Sequence, residues 1–353
     1  MDPLMIDSTK IQYHPDWISE WMGGYDPPPM YVEIAPSGGC QHRCSFCSVD
    51  YIGYVKRFLD ADRLQFVMDQ MYHADVKAVM FAGEGEPMLH PNISRIASDA
   101  ARIGLKVSFT TNAASVPDDF FGDALAGCDW IKASINAGTP KTYSAIHKCG
   151  RNHWLYAWDN MRIMALEKKK RGLKVTLGSQ MVILPENVTE AEAHIIEAKS
   201  IGLDYAVLKP YTQSTFSDTT RGKGFETADW TGLEELRKHD TDTFHVVVRT
   251  ATKANLEARD YQKCQVVPYL WAYIMASGDV YGCGAWLGNK DFMYGNINQQ
   301  SWGDIWQGEA RKGAIDFVEN RLDVKDCRKI CRMDQANRYL WRLKHERPKH
   351  EFF

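Results

Sequence analysis

No apolar run in the 353-residue sequence approaches the roughly 20 residues that would span a bilayer. The first residues, Met1-Asp-Pro-Leu-Met-Ile-Asp7, do not pair a basic segment with an apolar one, so no secretory signal is expected and the cytoplasm is the expected location. Positive charge is not in excess either. With 42 Lys and Arg against 45 Asp and Glu, the formal net charge is −3, which argues against a general binder of nucleic acid or anionic membrane. The local basic run Glu167-Lys-Lys-Lys-Arg171 reads as the solvated end of a helix. Short repeats and low-complexity tracts are lacking. Nine cysteines are too few for a disulfide scaffold of this size and too clustered for incidental core residues. They read as metal ligands or catalytic thiols in a reducing compartment.

What is present is an ordinary globular composition, 44% hydrophobic and 25% charged, in a chain long enough for one large domain and a smaller one. Past Asp26-Pro-Pro-Pro29, strand and helix patterns alternate. Strands are expected at Met30–Ala35, Ala78–Phe81, Lys106–Thr111, Trp130–Ile135, Lys174–Leu184 and Tyr205–Lys209. Between them, Asp60 caps a helix with Leu64, Val67, Met68 and Met71 on one face, and Gly104 ends a second helix that carries Ile93, Ile96, Ala97, Ala100 and Ile103. A short helix is expected at Pro117–Leu125, a long one within His153–Lys170, and one carrying Ile195 and Ile196 behind a capping box of Thr189 and Glu192. Six strand–helix units in series imply a parallel sheet with helices outside it, an open α/β barrel short of the eight units that close one. Tyr211–Asp229 reads as a loop and Phe244–Arg249 as one further strand. The expected division is an N-terminal extension at 1–29, a partial barrel at 30–250 and a small α+β domain at 251–353.

Ser37-Gly-Gly-Cys-Gln-His-Arg-Cys-Ser-Phe-Cys-Ser48 places three thiols within eight residues at the end of the first strand. That edge of a parallel α/β sheet is where ligands gather. Cysteine-only ligation suits zinc or an iron–sulfur cluster. Structural zinc usually takes paired Cys-x2-Cys knuckles, so three thiolates on a cubane with one open iron fit the spacing better. Cys40-x3-Cys44-x-Phe46-Cys47 resembles the cluster loop of the radical S-adenosylmethionine (radical SAM) enzymes. The resemblance implies a (β/α)6 TIM-like partial barrel and a [4Fe–4S] cluster held by Cys40, Cys44 and Cys47. It also implies SAM chelated to the fourth iron, and hydrogen abstraction from substrate by a 5′-deoxyadenosyl radical. Phe81-Ala-Gly-Glu-Gly-Glu-Pro87 matches the family's "GGEP" element with Glu84 in place of one glycine. Glu84, Gly85 and Glu86 are thereby implied around the SAM ammonium, and Thr111 and Asn112 at the third strand end are implied as further cofactor contacts. Ser134 and Asn136 are implied for the SAM carboxylate and ribose, and Gln180 beside the adenine.

Four later cysteines, Cys264, Cys283, Cys327 and Cys331, complete a closed iron–sulfur or zinc site. The segments Ala276–Cys283, Gly295-Asn-Ile297 and Ser301–Trp306 resemble the auxiliary-cluster module SPASM or its shorter form, twitch. Four cysteines fit twitch, with one auxiliary [4Fe–4S] cluster. Cys128 reads as a small core residue. Cys149 follows the fourth strand, where a thiol can return hydrogen to a substrate radical; the plainer reading is a loop cysteine without a role. Lys209, Tyr211 and Gln213 at the end of the sixth strand are the expected substrate contacts, with Arg249 and Trp286 behind them.

The expected function is radical SAM oxidation or epimerisation of a polar small molecule such as a sugar, aminocyclitol or nucleotide-linked sugar. Its partners would be that small molecule and a reductant such as flavodoxin or ferredoxin. A peptide-modifying maturase ranks lower, because only 29 residues precede the first strand and such enzymes often carry a separate peptide-recognition domain. A zinc-bound interaction module without catalysis is the reading from another class.

Overall fold

The alternation seen in the sequence produces strands β1 (Tyr31–Ile34), β2 (Ala78–Phe81), β3 (Lys106–Thr111), β4 (Cys128–Ser134), β5 (Thr176–Ile183), β6 (Tyr205–Pro210) and β7 (His245–Val248). Each pairs in parallel with the next. The structure, a computed structural model, describes residues 4–6, 9–211, 214–217, 219–254 and 259–346. Helix α1 (Pro15–Met22) precedes the sheet. Then α2 (Ala61–His73), α3 (Ile93–Ile103), α4 (Asp123–Gly127), the pair α5 (Pro140–His147) and α6 (Asn152–Arg171), and α7 (Ala191–Ser200) make the crossovers. The result is a partial (β/α) barrel with β7 added as a seventh parallel strand.

The local signals act as expected at most ends. The Asp60 carboxylate accepts from Arg63 N at 2.7 Å and starts α2, and Gly104 closes α3 at φ +110°, a left-handed conformation that favours glycine. The capping box expected at Thr189 and Glu192 does not form. A 3-10 turn at Val188–Glu190 displaces the start of α7 to Ala191, and Glu192 instead pairs with Lys238 and His239. Ile195 is buried, but Ile196 is half exposed. Neighbouring residues point about 100° apart on a helix, so one apolar stripe does not take both.

On each strand, alternate residues face alternate sides. Ile131 and Ala133 of β4, Ala206 and Leu208 of β6, and Val246 and Val248 of β7 belong to the core between sheet and helices. Tyr205, Val207 and Val247 point the other way and close the inside of the barrel together with Leu4 and Ile6. The inner face therefore has an apolar base, with Lys132 of β4 level with Tyr205 across Gly178, and Ser134 and Lys209 carried above it by the same alternation.

The C-terminal third continues the sheet. Strand β8 (Trp271–Ile274) pairs in parallel with β1, and the antiparallel strands β9 (Asp279–Tyr281) and β10 (Met293–Asn296) extend that edge, giving the order β10-β9-β8-β1-β2-β3-β4-β5-β6-β7. Helix α8 (Thr250–Ala254) spans the position expected to divide the two domains, and α9 (Trp302–Trp306), α10 (Glu309–Asp316) and α11 (Asp334–His345) follow. Arg63 of α2 donates to Ile297 O and Gln300 O, at 2.5 and 2.7 Å, and fastens this region to the barrel. On the inner side, buried Glu33 of β1 forms an ion pair with Arg332. Buried Arg311 donates to Asp26, Trp306 O and Pro268 O and stacks 3.7 Å above Trp306, so the N-terminal extension is tied to the C-terminal module.

Gly178 of β5 lies under the Tyr205 ring, where an added Cβ would come within 2.2 Å of it. Gly178→Ala is expected to cost about 1–3 kcal/mol through overpacking. A lowered melting temperature should be regained when Tyr205→Leu is combined with it.

Candidate active site

The loop after β1 is held in place on three sides. Glu86 N donates to Gly39 O at 2.8 Å, while Arg43 N and Ser45 N donate to His147 O and Ile146 O at the end of α5, at 3.0 and 2.8 Å. Gly85 permits the first contact, since a Cβ there would fall 2.3 Å from Ser37 O and 2.5 Å from Gly39 O. So pinned, the loop turns Cys40, Cys44 and Cys47 towards one cavity of about 260 Å³ at the carboxyl ends of the strands. None of the three is in a disulfide. Burial pushes the Cys40 thiol up to about 12, with the Glu86 charge adding to it. Burial likewise raises Cys44 and Cys47, and for Cys44 the charges of its two partner thiols add to the effect.

The family-matched residues gather around the same cavity, but their tasks differ. The Glu86 carboxylate is buried and already satisfied: it accepts from Met88 N at 3.1 Å, Thr111 Oγ1 at 2.5 Å and Asn112 N at 2.7 Å. It clamps the ends of β2 and β3 together, and burial raises it to about 7. Asn112 Oδ1 receives Gln41 Nε2 at 2.9 Å, which links the third strand end back to the cysteine loop. Glu84 is different. One oxygen accepts from Ala276 N at 3.2 Å, while Oε2 is buried without a hydrogen-bond partner among the described residues. Gln180 donates to Ser134 Oγ at 3.2 Å, and both line the cavity. Asn136 also lines it, yet its amide oxygen is taken by Val182 N at 2.8 Å and its nitrogen faces His147 Nε2 at 3.2 Å, so it braces the β4 and β5 ends. Lys209 and Tyr211 line the inner part of the cavity; Gln213 lies outside the described residues.

Cys149 does not line this cavity. It is half-buried on the far side of the loop, its thiol close to His42 and His153. His42 and His147, which the sequence reading passed over, back the cysteine loop directly. His147 Nδ1 lies 3.4 Å from Cys44 Sγ and 3.3 Å from His42 Nδ1, and its ring stacks on Tyr143 at 3.9 Å. Burial lowers His42 to about 3, with the His153 charge adding, and lowers His147 well below its usual range; both are neutral near pH 7. A histidine two residues after Cys40 and another two residues before Cys149 are the only sequence traces of this backing. Cys128 is a core residue, its thiol donating to Ala124 O at 3.1 Å.

The four C-terminal cysteines also meet. Cys264, Cys283, Cys327 and Cys331 line a second cavity of about 30 Å³ with Trp286 and Arg259. Arg259 donates to Val324 O and Arg328 O, pinning the segment that carries Cys327 and Cys331. Burial raises Cys264 to about 12, and raises Cys283 and Cys327 as well.

Two family models match the chain: the radical SAM superfamily over residues 34–197 and the iron–sulfur cluster-binding domain SPASM over residues 264–333. The chain belongs to the radical SAM superfamily and carries a C-terminal SPASM domain. Over 103 residues it is 30% identical to an S-adenosylmethionine-dependent nucleotide dehydratase of Lacinutrix mariniflava, a match covering 28% of this chain and only 21% of that protein. Over 300 residues it is 20% identical to a tungsten-containing aldehyde ferredoxin oxidoreductase cofactor-modifying protein of Pyrococcus furiosus, covering 79% and 81% of the two chains. The fold is shared with Streptococcus suis SuiB bound to its precursor peptide SuiA, at a TM-score of 0.67 and 16% identity over 95% of this chain and 78% of that one.

The radical SAM and SPASM domains imply SAM and [4Fe–4S] clusters, and the residues fit both. Three buried thiols whose charges oppose one another call for a cationic centre among them, and four more enclose a second. Glu84 lines the first cavity, and its Oε2 is buried without a hydrogen-bond partner among the described residues. Among the described residues no helix is long and apolar enough to cross a membrane. Anaerobically reconstituted protein is expected to hold about eight irons. Alanine at Cys40, Cys44 and Cys47 together should remove about half of them, and alanine at the four C-terminal cysteines the other half, as read by iron analysis.

Proposed function

We propose that this radical SAM enzyme removes hydrogen from a polar small molecule and that the outcome is oxidation, the substrate radical giving its second electron to the auxiliary cluster that Cys264, Cys283, Cys327 and Cys331 would hold and a proton to a base. The observation that carries the reading is the course of the cavity, from three thiols at its mouth to the polar side chains of Ser134, Gln180, Lys209 and Tyr211 on successive strands. When bound, the cluster and SAM supply a 5′-deoxyadenosyl radical that abstracts hydrogen. The chain's own residues do the rest. Cys40, Cys44 and Cys47 would hold the cluster, Glu84 Oε2 would accept from the SAM ammonium, and Ser134 with Gln180 would orient the ribose and adenine. Glu86, buttressed by Thr111 and Asn112, keeps the strand ends from moving as these groups are seated. Lys209 and Tyr211 are left to face the substrate, and a flavodoxin or ferredoxin would supply the electron.

Oxidation is preferred to epimerisation because Cys149 does not line the cavity, so a thiol hydrogen donor is not at hand there. A small substrate is preferred because the cavity, of about 260 Å³, is walled by strand ends, and a nucleotide is the substrate class in the name of the Lacinutrix relative. Dithionite-reduced, reconstituted protein given SAM should yield 5′-deoxyadenosine by chromatography, and the variant with Cys40, Cys44 and Cys47 all replaced by Ala should yield none. Deoxyadenosine at the wild-type level from that variant would sink the reading.

A further inference from the structure

His147, the last residue of α5, meets the cysteine loop twice. Its carbonyl accepts from Arg43 N at 3.0 Å, and its side chain stands behind Cys44, with Nδ1 3.4 Å from Cys44 Sγ. The ring is buried and its plane is fixed. Tyr143 stacks on it at 3.9 Å and 16°, and Phe46, the neighbour of the third thiol, meets it edge-on at 5.4 Å.

Which nitrogen of this ring carries the proton follows from its neighbours. Asn136 Oδ1 accepts from Val182 N at 2.8 Å, so the other end of the amide, a donor, faces His147 Nε2 at 3.2 Å. The same Asn136 Nδ2 lies 3.4 Å from Ser134 O, a second acceptor, which agrees with that orientation. Nε2 must therefore accept, and the ring proton stands on Nδ1, the nitrogen turned to the cysteine loop. Nδ1 has two neighbours, Cys44 Sγ and, at 3.3 Å, His42 Nδ1. Protons on both imidazole nitrogens at that distance would repel, so His42 carries its own on Nε2, which faces His153 Nδ1 at 2.9 Å. Cys44 Sγ and the His42 lone pair thus compete for one N–H. A metal-bound thiolate carries charge and is the stronger acceptor.

We propose that His147 Nδ1 donates a hydrogen bond to Cys44 Sγ and is the positioning residue that sets the reduction potential of the SAM-binding cluster. Hydrogen bonds to ligand sulfurs and exclusion of solvent are a protein's levers on such a potential. The reduced cluster carries one more negative charge than the oxidised one, so a donor aimed at its sulfur stabilises it more. His147 therefore eases the one-electron reduction by flavodoxin or ferredoxin. Asn136 acts one step further back, through the tautomer it imposes on the ring. The inference rests on Cys44 being a ligand of the cluster, as proposed above.

The test uses the full chain, anaerobically reconstituted, without SAM. Histidine carrying the heavy isotope of nitrogen in the imidazole ring alone is incorporated, which leaves the His42 backbone N–H, 3.4 Å from Cys40 Sγ, unlabelled. Pulsed EPR of the dithionite-reduced protein should show a coupling to the heavy nitrogen, and His147→Phe should lose it. In potentiometric titrations read by EPR, the signal of the SAM-binding cluster is the one that changes when SAM is added. His147→Phe should make that cluster about tenfold harder to reduce, lowering its midpoint by about 59 mV. His147→Asn keeps an N–H near the Nδ1 position and should recover at least half of the shift, which a purely structural role would not predict. An unchanged potential in His147→Phe, or an equal drop in both variants, would overturn the proposal. So would the absence of the coupling in the wild type, a result that stands even where His147→Phe loses its iron. If Cys44 were no ligand, the variant with Cys40, Cys44 and Cys47 all replaced by Ala would keep all its iron, so the two readings can fail separately.

Discussion

Three segments distant in sequence must agree at the Glu86 carboxylate. It accepts from Met88 N, Thr111 Oγ1 and Asn112 N, while its own backbone N–H donates to Gly39 O in the cysteine loop. A carboxylate is suited to the position because it is an acceptor at every lone pair, and the donors converge on it from two strand ends. Gly85 beside it is equally constrained, as any side chain there would push the loop away by its Ser37 and Gly39 carbonyls. Without this knot the three thiols would hang on a free loop. With it they face the cavity as a preorganised donor set, and the cost of crowding them is met during folding rather than at metal binding.

A second constraint comes from the edge of the sheet. A parallel partial barrel leaves the first strand open to pairing, and β8 takes that place in register with β1. The main-chain ladder therefore continues into the C-terminal region, and the Glu33–Arg332 ion pair joins them again inside. Arg332 follows Cys331 directly, so the contact that fastens β1 also fixes the last auxiliary thiol. Phe216, from the loop after β6, contacts both Tyr51 of the cysteine loop and Trp286 of the auxiliary cavity, at 5.5 and 5.3 Å between ring centres. The two sulfur-rich sites are thus set by one continuous framework.

Inside the barrel, alternation along the strands separates two chemistries. One face of β4, β6 and β7 is aliphatic and packs under the helices; the other carries Lys132, Lys209 and, just beyond the strand end, Arg249. Tyr205, Val207 and Val247 form an apolar base, and Ser134, Gln180 and Lys209 line the cavity above it.

Much of this was legible in the linear order of residues. Cys40, Cys44 and Cys47 lie within one loop, so their spacing alone constrains what they ligate, and the strand and helix periods of β2, β3 and α2 follow from local packing preferences. The capping box at Thr189 and Glu192 failed because a carboxylate three residues along can serve a distant Lys238 as well as its own helix end. The sequence by itself therefore determined the cysteine loop, the alternation of strands and helices, and the family. Only the tertiary structure decided that Glu86 is a brace while Glu84 keeps a free acceptor, that Cys149 stands behind the loop, and that His42 and His147 back it. It also decided that Lys209 lines the cavity while Lys132 does not. The physical reason is that these roles depend on which face and which partner a side chain meets across the sheet, and residues 25 to 105 positions apart in the chain carry no local pattern that reports it.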